Sequence, residues 1–343
     1  MFRFVLFFLL FLLMHPCVGT AYEFKHINHL FSILSADYAG TLDIKKLSLS
    51  SVSILNKFDR NLKLYYSDSK AFLYYKGQLT ATFDLPKNND LMQWQHTLDD
   101  ILSACLLQSP KISNRKQALE NELLQEITKN LDLYSRIEKP SSSLSTLDYT
   151  IKDNILYIKF IRFDKKNAEN LKSIISQNQN VLGLILDLRG NHGGNFSEAI
   201  KTADLFLDNT LIVYSSEKNH PNRYYTSSEG DVLNGKPIVV LTDEYTASAA
   251  EIVAAALSEQ SRATLVGTKT YGKGSIQQIH TLDNQVLYLT SGYFFSPSGR
   301  PIHQKGILPQ VCTGKNNSCQ FSDKTNPQKD ILTAVNLIKQ SLS

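Results

Sequence analysis

From Asn154 onward one pattern repeats: a short run apolar on both faces, then a segment with apolar residues at helical spacing. Asn154 to Phe163 and Val181 to Leu188 are the first two such runs, and Ala168, Leu171 and Ile174 recur at helical intervals between them. A strand apolar on both faces must be covered on both sides, and a strand–helix–strand order joins parallel neighbours. The pattern therefore predicts an α/β domain on a covered, mainly parallel sheet. Ile238 to Thr242 and Thr264 to Gly267 continue it as strands, with helices expected over Ser197 to Phe206 and Thr246 to Glu259. Ile276 to His280 and Val286 to Thr290 are expected to pair. Asn326 as N-cap and Pro327 at the first helical position open a last helix, with Ile331, Val335 and Ile338 inward.

Upstream the pattern is mixed. Lys63 to Tyr66 and Ala71 to Tyr75 read as strands of a small sheet, and Leu91 to Leu107 as a helix with Leu98, Ile101, Leu102 and Cys105 on one face. Arg115 to Tyr134 has the spacing of an amphipathic helix, with Leu119, Leu123, Ile127 and Leu131 inward. Pro140 to Ser143 reads as a linker and marks the main domain boundary. The expected organisation is a signal peptide over 1–21, an N-terminal region of unassigned role over 22–105, a helical segment and linker over 106–145, the α/β core over 146–312, and a C-terminal loop and helix over 313–343.

The first 21 residues read as a secretory signal: Arg3, an apolar run from Phe4 to Met14, then His15, Pro16 and the small residues Gly19 and Ala21. The run is shorter than the about 20 residues that span a bilayer, and no later segment is longer and apolar. Cleavage near Ala21, a periplasmic or secreted product and no stable membrane span are expected. Export permits disulfides, and Cys312 and Cys319 enclose a polar turn able to close a local bridge. Cys105 reads as a small buried hydrophobe. No second cysteine pair or histidine cluster completes a zinc site, so neither metal nor organic cofactor is expected. The 36 basic and 32 acidic residues are spread along the chain and leave no electrostatic footprint for nucleic acid.

Ser248 follows an apolar strand and a turn, at the mouth of an alanine-rich helix whose first amides lack intrahelical partners. Small neighbours admit a substrate backbone, and free N–H groups suit a tetrahedral oxyanion. Serine is equally an ordinary N-cap there. Lys273 lies between Gly272 and Gly274 just after a strand. A lysine acting as base near neutrality needs its pKa brought from about 10.4 to roughly 7–8, which burial among apolar groups can do. Gly267 to Lys273 nearly matches a phosphate loop, but Gly274 stands where that motif has Ser or Thr, and no helix follows.

Four ordered blocks together resemble the C-terminal processing (tail-specific) proteases: Asp187-Leu188-Arg189-Gly190-Asn191-His192-Gly193-Gly194; Thr246-Ala247-Ser248-Ala249-Ala250-Glu251-Ile252; Gly272-Lys273-Gly274-Ser275-Ile276-Gln277; and Ser296-Pro297-Ser298-Gly299 with Gly306-Ile307-Leu308-Pro309. The resemblance covers about residues 150 to 312 and implies an α/β, crotonase-like ββα spiral core behind a mixed, partly helical N-terminal region. It implies Ser248 as nucleophile, Lys273 as general base and Gln277 as the residue that orients the lysine. It also implies an oxyanion hole from the backbone N–H of Gly193 or Gly194 and of Ala249. Polypeptide is the implied substrate, cleaved through an acyl-enzyme. Asp187 and Arg189 are expected to brace the glycine turn.

His192 stands where the family usually has proline, and with Asp187 it offers a competing Ser-His-Asp reading. Ala250 and Gln310 depart from the family's frequent serine and aspartate. The Ser-x-x-Lys spacings at Ser67–Lys70 and Ser215–Lys218 lack their partner motifs. No room is evident for the PDZ domain common in the family, so substrate selection is expected from residues 22–105 or from a partner or adaptor protein. A silent peptide-binding scaffold of the same fold, and a lipid- or polysaccharide-handling hydrolase, are the competing readings.

Overall fold

The computed structural model describes residues 22–87, 89–138, 147–283, 285–320 and 327–342. It divides into two compact units, Met1–Phe31 with Asp43–Ile127 and Ser32–Leu42 with Thr128–Ser343. The signal segment, the 140–143 linker and Asn326 lie outside the described residues.

In the first unit the strands Leu62–Tyr66, Lys70–Tyr75 and Gln78–Asp84 form an antiparallel meander in that order. Ala71 and Leu73 are fully buried in its middle strand. The helix Leu91–Gln108 packs on this sheet. It buries Trp94, Leu98, Ile101, Leu102 and Cys105, one stripe at three- and four-residue spacing. Its N-cap Asp90 accepts from the Gln93 N–H. Cys105 is a free, buried thiol whose pKa burial pushes up to about 12.

The helix expected to reach Tyr134 spans Lys116–Lys129. Just beyond it, Asp132 Oδ1 accepts the N–H groups of Tyr134 at 2.7 Å and Ser135 at 2.9 Å, a local pairing that competes with the helical ladder. Residues Arg136–Glu138, expected in the linker, then form a strand of the second unit. Ile137 pairs with Leu287 in the antiparallel strand Gln285–Phe295.

The second unit is α/β. Its main sheet runs in the order Val311–Cys312, Ala263–Gly267, Ile238–Thr242, Gly183–Asp187, Ile155–Phe160, Leu147–Lys152. All neighbours are parallel except the last pair. Every residue of the two central strands is buried. Leu156, Ile158, Phe160, Leu184, Leu186, Val240 and Leu265 share one core with the helices Asn167–Gln177, Phe196–Asp204 and Ala249–Glu259. Ile155, Ile185, Val239, Leu241 and Val266 face Ala334 and Ile338 of the helix Pro327–Gln340. Full burial of each such aliphatic side chain contributes about 1.5–3 kcal/mol before entropy is counted.

A second sheet carries Ser275–Leu282, Gln285–Phe295, Leu211–Glu217 and Arg223–Thr226 in antiparallel order, with Arg136–Glu138 also on the long strand. The expected hairpin is present, Ile279 opposite Tyr288, with a bulge at Ile276/Gln277. Cys312 and Cys319 are disulfide-bonded, and the Cys319 carbonyl accepts from the Lys269 N–H at 3.1 Å. Among the described residues no helix is long and apolar enough to cross a membrane.

Candidate active site

The glycine turn after Gly183–Asp187 and the turn after Ile238–Thr242 are tied together by polar contacts. Asp243 accepts the N–H of Gly190 at 2.9 Å and that of Thr246 at 2.9 Å. Thr246 Oγ1 donates to the Leu188 carbonyl at 2.9 Å, and Ala247 N–H to the Asn191 carbonyl at 2.9 Å. Ser248 leaves this turn at φ 56°, ψ −119°, a left-handed conformation costly for a residue with Cβ. The helix starts one residue later, at Ala249, rather than at Thr246. The Glu251 N–H bonds the Ser248 carbonyl at 2.8 Å, and the Glu251 carboxylate reaches back to the Ser248 N–H at the helix start.

Gly193 is required by this approach. A Cβ there would lie 2.7 Å from Ser248 Cβ and 2.8 Å from the Ala247 carbonyl oxygen, on a backbone at φ +97°. Its own N–H donates to Asn191 Oδ1 at 2.8 Å, and Asn191 is anchored by Nδ2 to the Phe160 carbonyl at 2.7 Å. The N–H groups of Gly194 and Ala249 have no partner among the described residues. Of the three amides singled out in sequence, Gly193's is therefore already engaged.

The lysine loop is held by Glu251, fully buried in the first turn of the Ser248 helix. Its Oε1 accepts from Thr270 Oγ1 at 2.5 Å and Gly272 N–H at 2.7 Å. Its Oε2 accepts from Ser248 N–H and Lys273 N–H, each at 2.8 Å. Burial pushes this carboxyl up, more than the donated hydrogen bonds pull it down. Gly274 allows the close pass of the next segment, since a Cβ there would sit 2.3 Å from the His303 nitrogen.

Lys273 is half-buried, with Nζ 5.2 Å from the centroid of the Tyr134 ring. Burial holds its pKa below the ordinary 10.5, and the Arg136 cation pushes the same way, against the carboxylates of Asp132, Glu138 and Glu251. Burial also pushes the Tyr134 hydroxyl up to about 12, with Tyr271 and Glu251 adding to it. The Gln277 amide, expected on the lysine, bonds the upstream segment instead. Its Nε2 donates to the Tyr134 carbonyl at 2.5 Å, and its Oε1 accepts from Arg136 Nη1 at 3.2 Å. The bulge at Ile276/Gln277 changes which way the chain presents this side chain, which a count of four residues from Lys273 does not capture.

The Ser-His-Asp alternative is not assembled. Asp187 is buried and accepts from Arg189 Nη2 at 2.6 Å and the Tyr157 hydroxyl at 2.6 Å, with Lys159 Nζ at 3.2 Å. The Arg189 contacts and the Lys159 charge hold its carboxyl below the usual range against the pull of burial. His192 is exposed, its ring edge-on to Tyr245 at 6.2 Å. Arg189 continues to Asp330 of the last helix at 2.8 Å, so the pair ties the end of its strand to that helix. The two Ser-x-x-Lys spacings serve structure: Ser67 N–H closes a hairpin on the Lys70 carbonyl, and Lys218 Nζ bonds the Ser35 carbonyl.

Sequence reasoning missed Asn191, Asp243 and Glu251 as organisers, and Tyr134 and Arg136 as neighbours of the lysine. The first three lie within or beside the quoted blocks, but each also bonds a group from a segment distant in sequence: the Phe160 carbonyl for Asn191, the Gly190 N–H for Asp243, and the Gly272 and Lys273 N–H groups for Glu251.

Residues 154–313 match the model of peptidase family S41. The carboxy-terminal-processing protease of Bartonella bacilliformis is 35% identical over 193 residues, 54% of this chain and 44% of that protein. The carboxy-terminal processing protease CtpA of Bacillus subtilis is 37% identical over 186 residues, 53% of this chain and 40% of that one. The chain thus spans less than half the length of these two relatives. Among solved structures, a photosystem II D1 C-terminal processing protease is similar at 25% identity and TM-score 0.45, covering 50% of this chain and 48% of the other. With its α/β core and the ordered glycine-turn, serine and lysine segments, the chain is similar over residues 154–313 to peptidase family S41, and relatives matching it there are named carboxy-terminal processing proteases.

Proposed function

We propose that the chain is an exported serine endopeptidase that cleaves extended polypeptide through an acyl-enzyme, with Ser248 as nucleophile and Lys273 as general base. The observation that carries this reading is the shared Glu251 carboxylate, which ties the backbone of the serine to that of a half-buried lysine with a lowered pKa.

In this mechanism Ser248 Oγ attacks the scissile carbonyl carbon and its proton passes to neutral Lys273 Nζ. The tetrahedral oxyanion forms against the free amides of Ala249 and Gly194, the first of them at the positive end of a helix. Collapse breaks the C–N bond, and the lysine ammonium returns the proton to the departing amine. Water then attacks the ester, giving its proton to Lys273, and the second collapse restores the Ser248 hydroxyl. Gln277 acts on the lysine through the Tyr134–Arg136 segment that its amide holds.

The test is incubation with an unstructured polypeptide, comparing wild type with Ser248→Ala and Lys273→Ala by mass spectrometry of products. New peptide termini from the wild type alone are expected. Equal cleavage by Ser248→Ala would overturn the mechanism. N-terminal sequencing of exported protein checks the expected processing near Ala21.

A further inference from the structure

We propose that Arg136 is a positioning residue of the Ser248–Lys273 site, its guanidinium fixing the Gln277 amide and the Tyr134 carbonyl beside the lysine. The inference rests on Lys273 as the base and names a group upstream of the matched span 154–313 that sets how that base works.

Arg136 makes a converging set of contacts. Nη1 donates to Gln277 Oε1 at 3.2 Å and to the Tyr134 carbonyl at 3.2 Å, while Nε donates to Glu138 at 2.6 Å. The guanidinium carbon lies 4.2 Å from the centroid of Tyr288, over the ring. Tyr288 is also the strand partner of Arg136, so backbone register and side-chain stacking hold the same residue. The Tyr134 carbonyl in turn receives Gln277 Nε2, and the Tyr134 ring faces Lys273 Nζ. Arginine's planar fork can serve an amide oxygen and a main-chain carbonyl together, which a lysine ammonium at this place would do less well.

A removable strap would be expected to bind through loose side-chain contacts. This segment is instead strand-paired to the sheet, which suits a permanent part of the site. Its charge also has a direction. Among the described residues Arg136 disfavours the Lys273 ammonium, and Asp132, Glu138 and Glu251 favour it. Tyr271 and His303 adjoin the Tyr134 ring rather than entering that balance. Arg136 is the one cation of the set, so its removal shifts the lysine toward its protonated, inactive form.

The test is the pH profile of kcat/KM on an unstructured polypeptide for wild type, Arg136→Met, Arg136→Lys and Glu138→Gln, each checked for an unchanged melting profile. Arg136→Met should lose about ten-fold at neutral pH and move the acid limb up by about one pH unit, because less of the base is neutral. Arg136→Lys should restore the limb but not the full rate. Glu138→Gln, an exposed change that spares the strand, should move the limb down. An unmoved limb in both Arg136→Met and Glu138→Gln, or higher activity on losing Arg136, would overturn the proposal. Lys273→Ala separates the two levels: if it cleaves as wild type does, the base assignment fails; if it is dead while the Arg136 and Glu138 variants keep the wild-type profile, only this inference fails.

Discussion

The backbone N–H groups of Ser248 and Lys273 donate to the same oxygen, Oε2 of Glu251, each at 2.8 Å. One carboxylate therefore sets the spacing of two segments 25 residues apart in sequence, numbered 248 and 273. Its other oxygen secures Thr270 and Gly272, so one carboxylate holds both the entry to the lysine loop and the Ser248 turn.

Glu251→Ala should remove both order and stability. Three buried amides and one hydroxyl lose their acceptor, at about 1–3 kcal/mol for each group left unpaired. A fall in melting temperature with cleavage reduced about 100-fold or more is expected, since small displacements of a reacting group cost that much. Glu251→Gln presents N–H to donors on one side and should lose activity with a smaller drop in melting temperature. Calorimetry alongside kinetics distinguishes the two.

The pH dependence follows from the direction of the Lys273 shift. As the proposed base, Lys273 works only when neutral, so activity should rise with pH through the lysine's lowered value and reach half its maximum below 10.5. Lys273→Arg should be inactive at every pH, because a guanidinium does not deprotonate in this range. A pH–rate profile that follows ordinary lysine titration would contradict the burial of this side chain.

Gly193→Ala should silence the site. The added methyl meets Ser248 Cβ and the Ala247 carbonyl within 2.8 Å, and the backbone there is left-handed. About 1–3 kcal/mol of destabilisation is expected from the crowding, with a larger relative loss in kcat than in melting temperature. An inhibitor-labelling assay on Ser248 would show whether the nucleophile has been displaced.

His192→Ala should keep cleavage within about three-fold of wild type, as exposed substitutions away from special contacts usually cost under about 0.5 kcal/mol. A loss near that of Ser248→Ala would restore a role for the imidazole. Asp187→Asn, by contrast, removes one partner of a buried ion pair and should cost about 3–5 kcal/mol in a denaturation experiment.

Much of the fold was legible because burial is written locally. Ile238–Thr242 has the bounds its apolar run predicts, and Leu91–Gln108 differs from its expected span by a residue. Ser248 and Lys273 stood out through glycines and small residues that only close approaches require. Glu251 did not, because a glutamate in an alanine-rich first turn looks like an ordinary capping residue until the lysine loop folds over it. Arg136–Glu138 is three residues long, too short for alternation to register against a neighbouring helical pattern. The family resemblance placed Gln277 on the lysine, but beside the bulge its amide bonds Tyr134 and Arg136 instead.

The interlock between Arg189 and Asp330 has a practical consequence for anyone cutting the gene. Asp330 lies beyond the matched span 154–313, as do the edge strand Leu147–Lys152 on one side and Tyr134 and Arg136 further upstream. A fragment trimmed to the recognisable family segment would expose a paired sheet edge and take Asp330 from a buried guanidinium, leaving it Asp187 alone among its acidic partners. The recombinant boundary that preserves a working catalyst has to be drawn wider than the boundary at which kinship can be read.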